Sequence, residues 1–166
     1  VIELLFSTGI RISELCTIPY RNIDLQNNII IINGKGAKER LIHICDKHVI
    51  SVLAEYYSIY NSEILSCEYF FVNNIGKRLS EQSVREMINK YCQIADIRQH
   101  ITPHMFRHSF ATLLLEENVD IRYIQSMLGH SSINVTEIYT HVTMSKQKDI
   151  LKSKHPRKDM NISNQL

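Results

Sequence analysis

Three segments of this chain set cations where backbone geometry also favours an anion. In Thr102-Pro103-His104-Met105-Phe106-Arg107-His108, His104 and Arg107 stand three residues apart on one face of a helix that Thr102 and Pro103 start. Both fall in the first turn, where free N–H groups and the helix dipole attract negative charge. Arg11 lies at a junction between two short helical stretches, with Glu14 three residues on. Asn33-Gly34-Lys35-Gly36-Ala37 is a tight turn whose glycines let Lys35 project from a closely approaching loop. A fourth segment, Leu128-Gly129-His130 through Tyr139-Thr140-His141, places His130 nine residues before Tyr139.

Other chemistries fit less well. His104 and His108, four apart, have the spacing of a zinc-binding pair, but Met105 separates them and no carboxylate follows at the expected place. No metal site is expected. Cys16, Cys45, Cys67 and Cys92 contain no C-x-x-C and are read as free thiols. His108 is read as a structural hydrogen-bonding group, and His43, His48 and His100 as surface histidines.

The elements that must position these groups are mostly helical. Val1–Ser7 has helical period and Gly9 stands at its C-terminal end. Ser13 is expected to cap a short helix over Glu14–Ile18. Ile23–Leu25, Ile29–Asn33 and Arg40–Ile44 read as strands, being rich in β-branched residues. Helices follow over His48–Tyr60, with Val49, Val52, Leu53 and Tyr56 as one stripe, and from Ser80 to about Ala95. The helix opened by Thr102-Pro103 carries an apolar stripe of Phe106, Phe110, Leu113 and Leu114. Asp120 caps another helix ending at Leu128-Gly129, Ser132 opens one more, and Lys146–Lys152 forms a last short helix before Pro156. The expected fold class is α+β, mainly helical, with a small antiparallel sheet near the N-terminus.

Composition adds limits. The 166 residues are 44% apolar and 22% charged, as in folded globular domains. The apolar runs are too short to span a bilayer, and no secretory signal is visible. Net charge is only +2, which alone would not point to nucleic acid. Residues 141–166 nevertheless carry six Lys/Arg against two Asp, so an anion site in the body must come from local placement of cations.

Taken in chain order, these motifs resemble those of one family. Thr8-Gly9-Ile10-Arg11-Ile12-Ser13-Glu14-Leu15 resembles the first signature of the tyrosine recombinases, the phage-integrase family, and especially the Xer-like branch. Gly34-Lys35-Gly36-Ala37-Lys38-Glu39-Arg40 resembles the family's lysine-bearing β-hairpin, and His104-Met105-Phe106-Arg107-His108 its H-x-x-R box. Leu128-Gly129-His130, continuing through Tyr139-Thr140-His141, resembles its terminal box, and His155-Pro156-Arg157 is similar to the Xer tail. Each motif alone is weak; four in order, from Thr8 to His141, are specific. Phe106 and Tyr20 stand where Leu and Trp are commoner.

The resemblance implies a catalytic domain over residues 1–144 and a basic C-terminal tail over 145–166. The family's N-terminal core-binding domain is not present in this sequence, so the chain is expected to be part of something longer. The implied activity is site-specific recombination: Tyr139 attacks a DNA phosphodiester and forms a 3′-phosphotyrosyl intermediate without metal, ATP or cofactor. A free tyrosine has a pKa near 10 and needs a proton acceptor and a positive field. His104 is the expected acceptor. Arg11, Arg107 and His130 are expected on the non-bridging oxygens, and Lys35 as general acid for the 5′-oxygen. Glu14 is expected to orient the cationic cluster, with Lys38 and Arg40 either contacting phosphate or forming a solvated hairpin edge. The implied partners are double-stranded recombination sites and other copies of the chain, as a tetramer joined through the tail. The implied setting is a bacterial cytoplasm. A type IB topoisomerase-like enzyme and a non-catalytic DNA-binding module are the alternatives.

Overall fold

Helix α1 (Ile2–Thr8) ends because Gly9 turns left-handed at φ 61°, its N–H bonding back to Leu5 O. The structure, a computed structural model, describes residues 1–34, 39–129 and 140–156, with the backbone alone over 140–146. Helix α2 (Ile12–Cys16) starts from Arg11, not from Ser13. Glu14, at the third helical position, reaches back to accept from the Arg11 N–H at 3.0 Å, so a carboxylate satisfies the first orphan donor. A 3₁₀ turn (Tyr20–Asn22) then leads into the sheet.

Strands β1 (Ile23–Asp24), β2 (Ile29–Asn33) and β3 (Glu39–His43) form an antiparallel sheet in the order β1-β2-β3. The register pairs Ile30 with Ile42 and Ile32 with Arg40. Alternation puts Ile30, Ile32 and Ile42 on the buried face.

Helix α3 (Lys47–Cys67) is longer than the apolar stripe indicated. Asp46 caps it by accepting from the His48 and Val49 N–H groups, and it continues past Tyr60, where the backbone leaves helical values at φ −110° and ψ 19°. Beyond the kink the buried side resumes at Ile64, eleven residues and about three turns past Leu53. The following segment is tied down by backbone bonds from Phe70 N–H to Ile18 O and from Leu79 N–H to Phe71 O, both 2.9 Å. Phe70 and Phe71 meet edge to face at 5.1 Å beneath Tyr56.

Helix α4 (Glu81–Ile94) is capped by Ser80, and α5 (Pro103–Glu116) opens with Pro103 in its first turn. Thr102 occupies the α5 N-cap position without a side-chain cap bond. Helix α6 (Ile121–Leu128) runs from the Asp120 cap to Gly129, left-handed at φ 66°. Helix α7 (Thr140–Lys154) is longer than the expected Lys146–Lys152 and crosses the 144/145 division. The helix expected from Ser132 lies outside the described residues.

Two apolar clusters result. One joins α1, α2, the sheet, α3 and α4 through Leu4, Leu15, Ile30, Val49 and Ile88. The other joins α5, α6 and α7 through Phe110, Leu114, Met127, Leu128 and Leu151. Helix α7 is therefore packed on its own chain. Gln147 donates to Ser126 Oγ at 3.1 Å, and the buried His155 ring donates to Ser7 O at 2.8 Å. The four cysteines are unpaired, and burial pushes the Cys16 thiol up to about 11. No helix among the described residues is long and apolar enough to cross a membrane.

Candidate active site

The ends of α1 and α6 meet at the flank of α5, and each leaves backbone carbonyls that no further turn can satisfy. Arginines take them. Arg107 donates from Nη1 to Gly9 O at 2.8 Å and from Nη2 to Leu128 O at 2.7 Å. Arg11 Nη1 lies 3.4 Å from the same Leu128 O and 3.0 Å from Glu14 Oε1. Arg40, reaching in from β3, donates from Nε to Met127 O at 3.1 Å. Its Nη1 and Nη2 close on Glu14 Oε1 and Oε2 at 2.9 and 2.7 Å. The negative end of the α6 dipole thus holds three guanidiniums in fixed orientation.

Close approach of the elements makes this possible. A Cβ on Gly9 would stand 2.7 Å from both Leu128 Cδ2 and Phe110 Cδ1, and one on Gly129 would stand 2.9 Å from Arg40 Nη1. Both glycines also have positive φ, so two requirements coincide at each position.

Three cations face one carboxylate. Burial, helped by the charges of Arg11 and Arg40 and opposed by Glu14, lowers the Arg107 guanidinium to about 10, so it stays cationic at neutral pH. Burial pushes the Glu14 carboxyl up, but bonds from Arg40 and from the Arg11 N–H, with the charges of both, outweigh it. Glu14 is left below the ordinary carboxylate value and ionised. The positive excess opens outward at Arg11, whose side chain is 40% exposed. Such an arrangement can bind a tetrahedral anion through paired N–H donors.

His104 is exposed on the first turn of α5, one turn before Arg107. His108 is exposed too. His43 is half-buried, its pKa lowered by burial and by nearby Lys148, while His48 and His100 are exposed. Lys35, Lys38, His130 and Tyr139 lie outside the described residues. Arg40 is not the solvated hairpin edge that was one reading of it: only 13% of its side chain is exposed, and it is paired with Glu14. Its pairing with Glu14 was missed. The available signal was the alternation of Arg40 with Ile42, which turns both toward the interior.

Fold and site together define a mainly helical domain with a buried cationic cluster, and the comparisons give its kinship. The chain belongs to the phage integrase family, whose model matches residues 1–146. It is 60% identical over 159 residues to a tyrosine recombinase of Agathobacter rectalis, covering 96% of this chain and 52% of the relative. It is 41% identical over 160 residues to the tyrosine recombinase XerD of Staphylococcus aureus, covering 95% of this chain and 54% of that protein. The chain thus spans about half the length of these curated relatives. Among solved structures, XerA recombinase aligns with a TM-score of 0.72 at 33% identity, over 88% of this chain and 54% of that one. XerH bound to its difH substrate in a pre-cleavage complex aligns at 0.70 and 30% identity, over 87% and 42%.

Proposed function

We propose that this domain is the catalytic part of a site-specific DNA recombinase. The observation that carries the reading is the Arg11–Arg107 pair, held by the Leu128 carbonyl on a helix end and facing outward as an anion site. XerH, a structural neighbour, is described with difH substrate before cleavage.

The chemistry follows from the groups. The Tyr139 oxygen attacks phosphorus in line, and its proton passes to His104. The bond from phosphorus to the 5′-oxygen breaks, and Lys35 supplies that oxygen's proton. Arg11, Arg107 and His130 donate to the non-bridging oxygens as charge builds there, a term worth about a hundredfold to a thousandfold per donor. Glu14 holds the arginines and transfers no proton. The 3′-phosphotyrosyl ester keeps the bond energy, so a second 5′-hydroxyl reverses the sequence and reseals the strand. The fixed cations supply the charge that a metal ion supplies elsewhere. The partners in this reading are duplex recombination sites and further copies of the chain in a tetramer, in a bacterial cytoplasm. In this reading Leu151 stays in its own chain's core, so it does not serve as the anchor on a neighbouring copy.

The test is a labelled, nicked suicide duplex, its sequence first selected from a random pool by binding, incubated with the chain in excess EDTA. A covalent adduct that disappears in Tyr139→Phe, with binding retained, is expected. No adduct from the wild-type chain, or a strict Mg²⁺ requirement for cleavage, would overturn the reading.

A further inference from the structure

Arg40 stands one step back from the anion site yet touches most of what builds it. Cross-strand pairing with Ile32, and alternation with Ile42, fix its side chain on the inner face of β3. Three donors are committed, Nε to Met127 O and the two terminal nitrogens to the two oxygens of Glu14. Its guanidinium lies close over Gly129, where a Cβ would stand 2.9 Å from Nη1. Glu14 Oε1 is shared between Arg40 Nη1 and Arg11 Nη1, at 2.9 and 3.0 Å.

That sharing has an electrostatic consequence. An arginine and a carboxylate left alone close into a two-bond pair, because the fork and the carboxylate match in shape. Glu14 is kept from doing this with Arg11 because Arg40 already occupies both of its oxygens. The Arg11 guanidinium therefore engages Glu14 through Nη1 alone, beside the separate backbone N–H bond, and keeps its Nε and Nη2 donors and its charge for an incoming phosphate.

We propose that Arg40 is a positioning residue for strand cleavage: by engaging both oxygens of Glu14 it prevents Glu14 from capturing Arg11, and it makes no contact with DNA itself. This rests on the recombinase reading above.

The experiment measures, for Arg40→Gln and Arg40→Lys in the full chain, the affinity for the selected nicked duplex and its salt dependence. Single-turnover adduct formation is followed at saturating DNA, with far-UV circular dichroism to check the fold. The cleavage rate at saturating DNA should fall about a hundredfold, the scale of a slightly misplaced reacting group, whatever the change in affinity from the captured Arg11. Lysine should not rescue, since it keeps the charge but not the fork. The double variant Glu14→Gln/Arg40→Gln should cleave faster than Arg40→Gln alone, because an amide no longer captures Arg11. A purely structural role gives a double variant no faster than the single one, and overturns the proposal. Weaker binding with the salt slope reduced by about 0.9, at an unchanged saturating rate, makes Arg40 a phosphate contact and also overturns it. A wild-type chain that forms no adduct overturns the recombinase reading, and this role falls with it.

Discussion

Arg107 donates to the Leu128 carbonyl at 2.7 Å, joining the flank of α5 to the last residue of α6. Its other terminal nitrogen takes Gly9 O, just past the end of α1. The guanidinium is thus fixed by two helix terminations, and its orientation depends on where those helices stop. Side-chain substitutions far from any phosphate can therefore disturb the site by moving a carbonyl.

Gly9→Ala is the sharpest case for stability. The new methyl would meet the Phe110 ring and Leu128 at 2.7 Å, on a backbone with φ 61°. The left-handed conformation alone costs an alanine about 1–2 kcal/mol, and overpacking adds to it. The urea midpoint should drop while the slope stays constant. An unchanged midpoint would show that the α1–α5–α6 junction has room to give.

Glu14 predicts an acid sensitivity with a definite sign. Its folded pKa lies below the ordinary 4.5, so its contribution is full above that value and is lost as pH falls through the folded pKa. Glu14→Gln should therefore flatten the loss of stability below pH 4.5, measured as melting temperature against pH. Parallel acid limbs in wild type and variant would contradict the pairing.

His155 predicts a second pH effect, located at α7. Burial lowers its pKa below 6.5, although the bond to Ser7 O and the charge of Asp46 pull the other way. The folded state binds the proton less readily than the unfolded one, so stability declines as pH drops below 6.5 toward the folded pKa. Hydrogen exchange over residues 147–155, corrected for intrinsic rates, should rise on acidification through this range. His155→Gln should remove most of that difference, and equal protection across the range would refute it.

Lys35 can be tested by substrate chemistry. Lys35→Ala should slow cleavage of ordinary DNA about a hundredfold or more, the scale of general acid catalysis. A substrate with sulfur at the 5′-bridging position should be cleaved almost as fast as by wild type, because a thiolate leaves without a proton. Equal defects on both substrates would make Lys35 a phosphate contact only.

The caps at Gly9, Ser80, Asp120 and Gly129 were legible in the sequence because cap chemistry is local. The second helix was read two residues late, since Ser13 is a good cap by type, whereas the orphan donor is met by Glu14 reaching back to Arg11. Helix α3 was cut short at Tyr60, where the backbone leaves helical values and then returns to them through Cys67. In the site, spacing placed His104 and Arg107 on one helix face. The partners that fix Arg107 are the carbonyls of Gly9 and Leu128, which no side-chain pattern marks. Arg40 needed the sheet register and the approach of α2 before its pairing with Glu14 became visible.

The contact between Ser7 and His155 spans 148 residues, and the anion site itself joins Arg11 to Leu128 across 117. Synthesis proceeds at about 5–20 residues per second, so a growing chain carries Arg11 for roughly 6–25 s before the carbonyl that orients it has been made. The last helix reaches the first later still. The cationic site therefore has no assembled form on a chain that stops short of Leu128, because the carbonyl that orients Arg11 and Arg107 is not yet there.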